Sequence, residues 1–556
     1  MARTFRFALD RAARFRLLGG VALAVSLALV AGCGGGSKQK AGVSGGEATF
    51  EIQSDIDFAD PALAYSTIAW QIEYGTCLKL LNYPDKPLPA ASRLVPDAAT
   101  ALPTVSDGGR RYAFTIRSGY RFSPPSAQTV SAETFRFSIE RVLNPTMRSP
   151  GAGFVSDIVG AAAYNAGKAK HVSGIVAQGM TLTITLTRPT PDFLARMALP
   201  FFCALPTSTP LDSHGVRAPS SAGPYYIASW TPGHSVIVKR NPNYGGKRPA
   251  NLDQITYRVG TDPNQALLAV EKGQSDFLAD GLPPGSHLDL KRRYGAGSAA
   301  AKAGDQRYFV NPVLAIRYLA LNTSRPLFHD PSVRRAVNYA IDRDAMVHLI
   351  GADAGTPTDS YLPPGVPGSQ PVHVYPNTPD LAKARALMHG RTGTAQLYTC
   401  DASPCPETAQ LIQADLAKIG ITVVIHTMSR SVQISREGTR GEPFDIGVEG
   451  WTADYNDPYD FINVLLGAPI GASNNTDLSY FSDPVYRAEI DAASHASGAA
   501  RAAAYAQLNR KLVSGPAPWA AWGIDNAIDF FSARIGCQVF NPAYGMDIAN
   551  LCLRRS

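Results

Sequence analysis

The chain has 556 residues, of which 45% are hydrophobic and 17% are charged, and its formal net charge is +7. Residues 1–32 carry a net +4, so the rest of the chain carries only +3, too little for the clustered basic face of a nucleic-acid-binding protein. The length exceeds what one hydrophobic core supports and predicts two or three globular domains.

The N-terminus has the layout of a secretory signal, with five arginines in the first 16 residues followed by an apolar run over 17–30. This run is shorter than the ~20 residues that a helix needs to span a bilayer. Val30-Ala31-Gly32-Cys33 resembles the lipobox of bacterial lipoproteins, which predicts a signal peptide over 1–32 and a lipid on Cys33. The alternative is an ordinary secretory signal with an unrelated cysteine. Residues 33–47, rich in Gly, Ser and Lys, are expected to be a flexible tether.

Beyond the tether the chain alternates between strand and helix patterns without a long internal repeat, which predicts a mixed α/β body. Alternating apolar residues predict strands over 112–116, 182–186 and 255–259. Asp262-Pro263 and Asp330-Pro331 predict helix starts, because Asp is a favoured N-cap and Pro is favoured at the first helical position. A helix over 407–419, ended by Gly420, precedes a strand over 421–425 and completes an α/β unit.

No catalytic constellation emerges from the sequence. Gly42-Val43-Ser44-Gly45-Gly46 matches the Gly-x-Ser-x-Gly pattern of hydrolases, but it lies in the predicted tether with no strand before it. There is no Walker A or H-E-x-x-H motif, and the ten histidines stand singly. The protein is therefore expected not to be an enzyme and to hold no metal or other cofactor.

Cysteine usage fits an exported protein. Besides Cys33 there are six cysteines, an even number that is compatible with three disulfides: Cys77, Cys203, Cys400, Cys405, Cys537 and Cys552. Cys400 and Cys405 are five residues apart with no second pair nearby, which favours a small disulfide loop over a zinc site.

Several segments carry a recognisable ordered pattern: LVPDAA at 94–99, YAFTIRSG at 112–119, SAETFRFSIERVLNP at 131–145, SAGPY at 221–225, RNPNY at 240–244, YLALNT at 318–323, VRRAVNYAIDR at 333–343 and GWTADYNDP at 450–458. Together they resemble the family 5 solute-binding proteins of ABC importers, the oligopeptide-, dipeptide- and nickel-binding group. Ser123-Pro124-Pro125 stands where many members have His-Asp-Gly, and the additional cysteines suggest a subfamily with extra disulfides.

The resemblance implies a periplasmic-binding-protein-like α/β fold of class II, cluster C type, in which two hinged lobes close on the ligand. Lobe one is expected over 48–285 with an inserted subdomain near 82–188, lobe two over 286–505, and a return to lobe one over 506–556. The disulfides expected in this arrangement are Cys77–Cys203, within lobe one, and the two sequence-local pairs Cys400–Cys405 and Cys537–Cys552.

The leading functional hypothesis from this resemblance is capture of short peptides for delivery to the permease subunits of an ABC transporter. The protein is expected to be a lipid-anchored monomer at the outer face of the cytoplasmic membrane or in the periplasm, with no nucleic-acid partner. Two alternatives remain: the same fold binding an oligosaccharide or chelated nickel, and an envelope enzyme or structural lipoprotein.

One aspartate stands out as a ligand-binding candidate. In peptide-binding relatives the aspartate of the matching segment pairs with the free α-amine of the ligand, which implies this role for Asp454. The alternative is that Asp454 caps a turn before Pro458. The candidate aromatic walls of the cleft, each of which could equally be a core residue, are Tyr65, Trp70, Trp451, Tyr455 and Tyr459.

Overall fold

The computed structural model describes residues 42–87 and 90–555. The strands of this part of the chain are β1 Gly42–Val43, β2 Glu47–Ile52, β3 Leu81–Asn82, β4 Val95–Pro96, β5 Thr104–Ser106, β6 Arg111–Thr115, β7 Ile175–Gln178, β8 Thr181–Thr185, β9 Tyr225–Thr231, β10 Ser235–Arg240, β11 Gln254–Val259, β12 Phe277–Leu278, β13 Tyr308–Leu321, β14 Gly355–Pro357, β15 Gly393–Cys400, β16 Ile421–Met428, β17 Ile446–Thr452, β18 Trp519–Phe530, β19 Ile535–Gly536, β20 Phe540–Asn541, β21 Gly545–Met546 and β22 Cys552–Arg554.

The α-helices of the same part of the chain are α1 Thr67–Thr76, α2 Ala132–Leu143, α3 Ala161–Asn165, α4 Phe193–Arg196, α5 Pro263–Glu271, α6 His287–Tyr294, α7 Ala299–Lys302, α8 Pro326–His329, α9 Pro331–Ala340, α10 Arg343–Leu349, α11 Leu381–Met388, α12 Cys405–Ala417, α13 Arg430–Glu437, α14 Tyr459–Leu466, α15 Pro484–His495 and α16 Gly498–Ser514. None of the helices described is long and apolar enough to cross a membrane.

The first hydrophobic core is shared by two sheets. A five-stranded sheet has the order β12-β2-β11-β10-β9, and a four-stranded sheet from the region of the expected insertion has the order β5-β6-β8-β7. In the larger sheet β2 is parallel to β11 and β12, whereas β10 is antiparallel to its neighbours. Alternate residues of β10 and β11 point into the core, as the sequence alternation requires: Val236, Val238, Ile255 and Tyr257.

The second core lies around a six-stranded mixed sheet of order β14-β18-β13-β17-β15-β16. Helix α9 begins as predicted, because the Asp330 side chain accepts from the Ser332 N–H and Pro331 occupies the first helical position. Its apolar stripe, including Val333, Ala336 and Val337, is buried in this core.

Two long antiparallel strands connect the cores. The first residue of β13, Tyr308, and the last of β18, Phe530, pack in a small core with α5 and α6, whereas Ile316 of β13 and Trp519 of β18 belong to the second core. The β13–β18 register shifts between Pro312 and Ile316. A break in pairing at this place concentrates backbone freedom between the two cores, as a hinge requires.

The boundaries between the cores differ from the expected lobe boundaries at two places. Helix α16 and the start of β18 are buried in the second core, so the chain returns toward the first core along β18 and not at 506. Leu290 and Tyr308 pack with Ala266 and Val270 in the small core. We call the first core and this small core together the first region, and the chain does not leave it at 286. The reason is that the crossovers are continuous strands, and Asn311-Pro312 within β13 does not end the strand.

The end of the expected tether belongs to the folded body. Gly42 and Val43 pair with Arg554 and Leu553, and the Gly46 N–H donates to the Asp253 carboxylate. A side chain at Gly42 would collide with the sulfurs of Cys537 and Cys552, so glycine permits close packing there. The expected boundary at 47 is therefore too late, and Cys33 with the expected signal peptide lies outside the described residues.

The six cysteines form the three disulfides that were expected. Cα–Cα distances are 5.3 Å for Cys77–Cys203, 5.4 Å for Cys400–Cys405 and 5.5 Å for Cys537–Cys552. These distances lie in the usual range for a disulfide.

Candidate functional site

A cavity of about 440 Å³ lies where segments from both cores meet. Its volume is in the range of small-molecule sites (~300–1,000 Å³). The lining residues come from the start of α1, the segments after β12 and β17, the middle of β13, the end of β18 and the β20–β21 hairpin: Tyr65, Thr67, Ile68, Trp70, Gln71, Ala279, Asp280, Val313, Trp451, Thr452, Ala453, Asp454, Ala527, Asp529, Phe540, Pro542, Ala543, Tyr544, Gly545 and Met546.

Asp454 lies in this cavity, and hydrogen bonds of the backbone N–H groups of Ala453 and Asp454 fix its position. The Ala453 N–H donates to the Leu314 carbonyl on β13, and the Asp454 N–H donates to Oδ2 of Asp460 at 2.8 Å. The same Asp460 oxygen accepts from Nε1 of Trp451 at 3.2 Å. Asp460, in the first turn of α14, therefore fixes the segment from Trp451 to Asp454.

The carboxylate of Asp454 does not cap a turn. It accepts one hydrogen bond, from the Tyr65 hydroxyl at 2.8 Å, and its Oδ2 has no partner among the described residues. The turn before α14 is instead stabilised by Asp457, whose Oδ1 accepts from the Tyr459 N–H at 2.9 Å. Asp457 therefore has the turn-capping role that was the alternative for Asp454.

The electrostatics of the pair formed by Asp454 and Asp460 favour a bound cation. Burial raises the pKa of Asp454 to about 7, while the hydrogen bond from Tyr65 opposes the rise. Burial, followed by the charge of Asp454, raises the pKa of Asp460 well above its ordinary value. A positive group placed beside Asp454 would stabilise the ionised form of both carboxyls.

Three of the predicted aromatic residues line the cavity. Tyr65 and Trp70 meet edge to face with ring centroids 5.5 Å apart, and Trp451 lies near them in the lining. Trp70 is buried, and its Nε1 donates to the Ala64 carbonyl at 2.9 Å. Tyr65, Trp70 and Trp451 therefore present ring surface to the cavity, as an apolar ligand wall requires.

The other two predicted aromatic residues lie outside the cavity lining. The Tyr455 hydroxyl donates to Oδ2 of Asp192 at 2.7 Å, and the Tyr455 ring is buried in the first core. The Arg196 guanidinium lies 5.5 Å from the Tyr459 ring centroid. Both residues follow β17 yet contact the segment around α4, so they hold the two regions together.

The cavity has a second acidic part, formed by Asp280 and Asp529, which sequence analysis did not identify. Asp280 follows β12, Asp529 lies near the end of β18, and an isolated antiparallel bridge between Phe277 and Phe531 brings these segments together. The sequence signal for Asp529 was weak, because it is a single Asp in the otherwise apolar end of a strand. Such a residue alone does not distinguish a ligand-binding site from a surface position. The β20–β21 hairpin also supplies lining residues and carried no recognisable motif.

A second cavity, of about 210 Å³, adjoins the first and shares Trp451 and Thr452 with it. Its basic residues are already paired: Arg317 with Asp525 at 2.5 Å and Arg430 with Glu449 at 2.5 Å. The Cys400–Cys405 disulfide lies in its wall. Within 42–87 and 90–555 no group of three or more His, Cys, Asp or Glu side chains is arranged to hold a metal ion.

Comparison with known proteins gives relatives over most of the chain. The glutathione-binding protein GsiB of Salmonella paratyphi A is 26% identical over 394 residues, which covers 69% of this chain and 70% of GsiB. The probable D,D-dipeptide-binding periplasmic protein DdpA of Escherichia coli K12 is 25% identical over 421 residues, with 74% and 75% covered.

Solved structures share the fold. The clavulanic acid biosynthesis oligopeptide binding protein 2 superposes with a TM-score of 0.84 at 24% identity, covering 93% of this chain and 97% of that one. DppA from Helicobacter pylori, in complex with the peptide STSA, superposes with a TM-score of 0.72 at 22% identity, covering 92% and 99%. The fold is therefore the two-lobe α/β fold of class II periplasmic binding proteins.

The family model for bacterial extracellular solute-binding proteins, family 5 Middle, matches residues 93–472. This match covers more than half of the chain and includes Asp454 and the segment around it. The chain therefore belongs to the bacterial extracellular solute-binding proteins of family 5, and it is a binding protein, not an enzyme.

Proposed function

We propose that this protein captures short peptides by their free α-ammonium group and delivers them to the permease of an ABC importer. The observation that carries the proposal is Asp454: a carboxylate in the cavity between the two cores, fixed by Asp460 and Tyr65, with no cation beside it in the described structure. A buried ionised carboxylate is costly unless it is paired, and a peptide ammonium supplies the missing charge and its hydrogen-bond donors.

Names of relatives support this ligand class. GsiB is named for glutathione, DdpA for D,D-dipeptides, and the DppA structure contains a bound peptide. All three ligand classes contain peptide bonds. The aromatic walls Tyr65, Trp70 and Trp451 fit such ligands, because they offer apolar surface without selecting one side chain.

Substitution of Asp454 tests the proposal. We expect Asp454→Asn to lower the affinity for a tripeptide such as Ala-Ala-Ala by about two to three and a half decades, since losing one partner of a buried ion pair costs about 3–5 kcal/mol. The matched control is Asp107→Asn, which removes the same charge at an exposed turn outside the cavity. Isothermal titration calorimetry gives the affinities, and circular dichroism checks the fold.

N-acetylated peptides provide the complementary measurement. The native protein should bind N-acetyl-Ala-Ala-Ala as weakly as Asp454→Asn binds the free peptide, because both remove one partner of the same ion pair. Equal affinity of the native protein for free and acetylated peptide would show that Asp454 does not recognise the amine.

We also propose that a lipid on Cys33 holds the monomeric protein at the outer face of the cytoplasmic membrane or in the periplasm, close to its permease. The support is the lipobox-like Val30-Ala31-Gly32-Cys33 and the family's extracellular location. Cys33→Ala removes the thiol that would receive the lipid, so the variant should incorporate no labelled fatty acid and should remain as precursor. Labelled fatty acid on the variant would exclude this anchor.

A further inference from the structure

The cavity that contains Asp454 has a second acidic end. Asp280 and Asp529 also line it, whereas its lining contains no Lys, Arg or His. Three carboxyl groups thus line one cavity without a basic residue in its lining. Such an arrangement disfavours ligands with a net negative charge and favours ligands that bring more than one positive charge.

Asp529 is built to face a ligand. It is 7% exposed, and its Oδ2 accepts from Nδ2 of Asn311 at 3.0 Å, a neutral donor on the neighbouring strand β13. Its Oδ1 has no partner in the part of the chain that the structure describes. Burial raises the pKa of Asp529 to about 7, with only the Asn311 hydrogen bond opposing the rise. A carboxylate of purely structural function would have a cation or several donors around it.

Two further acceptors that belong to residues of the cavity lining are also unused. Oδ2 of Asp280 accepts from the Gln53 N–H at 2.7 Å, but its Oδ1 is buried without a hydrogen-bond partner. Gln71 is 7% exposed, and its Oε1 is buried without a partner as well. These two oxygens are shielded from solvent and cost free energy in the unliganded protein, and rotation of either side chain toward the cavity would let a donor-rich ligand remove that cost.

The aromatic donors of the cavity cannot satisfy these acceptors, because each already donates elsewhere. Tyr65 donates to Asp454, Trp70 to the Ala64 carbonyl, Trp451 to Asp460 and Tyr544 to Asp85. A ligand with donors at both ends therefore meets acceptors that the aromatic residues leave unused. Guanidinium and ammonium groups have only donors and carry the required charge.

We propose that Asp280 and Asp529, with Gln71, form a second cation site, and that the preferred ligand is a short peptide with a basic side chain besides its α-ammonium. This inference rests on the peptide-binding function proposed above. Ala453 bonds to Leu314 and Asp529 pairs with Phe309, so the two acidic ends are roughly 16–17 Å apart along β13 at ~3.3 Å per residue. An extended peptide spans this distance with a basic side chain at its second or third residue.

The test compares arginine peptides with citrulline peptides, which have nearly the same shape but no charge. Ala-Arg-Ala or Ala-Ala-Arg should bind the native protein about thirtyfold or more tightly than its citrulline counterpart. Asp529→Asn should bring this ratio close to one, because it removes the charge with which the guanidinium would pair. Asp280→Asn should reduce the ratio too, whereas the control Asp107→Asn should preserve it.

The outcomes separate this inference from the function on which it rests. Equal affinity of the native protein for arginine and citrulline peptides would overturn the second cation site and leave α-amine recognition standing. If no peptide binds but agmatine, a non-peptide dication, binds and is weakened by Asp529→Asn, the peptide function is wrong and the cation site stands. Failure of all these ligands to bind would overturn both. Circular dichroism and a urea midpoint close to that of the native protein show that Asp529→Asn is folded.

Discussion

At the scale of single residues, the acids Asp454, Asp280 and Asp529 line the ligand cavity without a basic residue in its lining. Two buried aspartates elsewhere in the structure are paired with arginine: Asp60 makes two bonds of 2.6 Å to Arg141, and Asp457 lies 2.6 Å from Arg501. Asp454 and Asp529 have only neutral donors. The chain can thus satisfy a buried carboxylate with arginine, and it does not do so in the cavity, which is what a site for cations requires.

The pH dependence of peptide affinity follows from Asp454. Burial raises the pKa of Asp454 to about 7, so at lower pH the carboxyl of the unliganded protein must release a proton before it pairs with an ammonium. We expect the affinity for Ala-Ala-Ala to fall as the pH drops below 7, approaching about tenfold per pH unit. Above about pH 8 the affinity should fall again, because the peptide α-amine loses its proton.

Calorimetric titrations between pH 5 and 9 measure this profile. The groups that face the Asp454 carboxyl are Tyr65 and Asp460, and burial raises the pKa of Tyr65 as well, so the tyrosine stays protonated across this range. The fall below pH 7 should disappear in Asp454→Asn. An affinity of the native protein that stays constant from pH 5 to 7 would contradict the assignment of Asp454.

At the scale of secondary-structure elements, sequence reasoning succeeded where the determining contacts are local. The caps at Asp262 and Asp330 form as predicted, and β6, β8 and β11 lie within a residue of the predicted strands. These features depend on neighbours a few residues away, so their signal is contained in one short window.

The acidic end of the cavity and the crossover strands could not be predicted in the same way. Asp280 and Asp529 are far apart in sequence, and they become neighbours only through the bridge between Phe277 and Phe531. Likewise, β13 and β18 pass from one core to the next as continuous strands, although Asn311-Pro312 lies within β13. Asp454 could be proposed from the sequence because the family motif around it is continuous.

The disulfides should differ in their contribution to stability. Cys77 and Cys203 are separated by 126 residues, and Cys400 and Cys405 by 5. In the chain-entropy model the long-range bridge stabilises by about 5 kcal/mol and the short one by about 2 kcal/mol. The double variant Cys77→Ser and Cys203→Ser should therefore lower the urea midpoint more than Cys400→Ser with Cys405→Ser. Equal midpoints for the two double variants would contradict this order.

At the scale of the whole molecule, three hydrogen bonds join residues after β17 to the first region. The Tyr65 hydroxyl donates to Asp454, the Asn456 N–H donates to the Tyr83 hydroxyl at 3.3 Å, and the Tyr455 hydroxyl donates to Asp192. Opening of the lobes about β13 and β18 would break all three. They therefore contribute to the free energy of the closed state, which a ligand selects.

Tyr455 allows closure to be tested apart from ligand contact. It does not line the cavity, and its hydroxyl bonds to Asp192, which also pairs with Arg196 at 2.8 Å. Tyr455→Phe removes one hydrogen bond to a charged group, which contributes about 1.5–3 kcal/mol, and leaves Asp192 paired. Because this change penalises only the closed state, we expect the affinities for all peptides to fall by the same factor, about ten- to a hundredfold.

Calorimetry with free, acetylated and arginine-containing peptides measures this factor, and small-angle scattering of the unliganded variant should show a larger radius of gyration. The control is Tyr112→Phe, because that hydroxyl lies in the same region but bonds to the Thr190 carbonyl, whose segment moves with it. A loss of affinity in Tyr455→Phe that differs from peptide to peptide would mean that the hydroxyl contacts the ligand. An unchanged affinity would mean that the Tyr455–Asp192 bond persists when the lobes open.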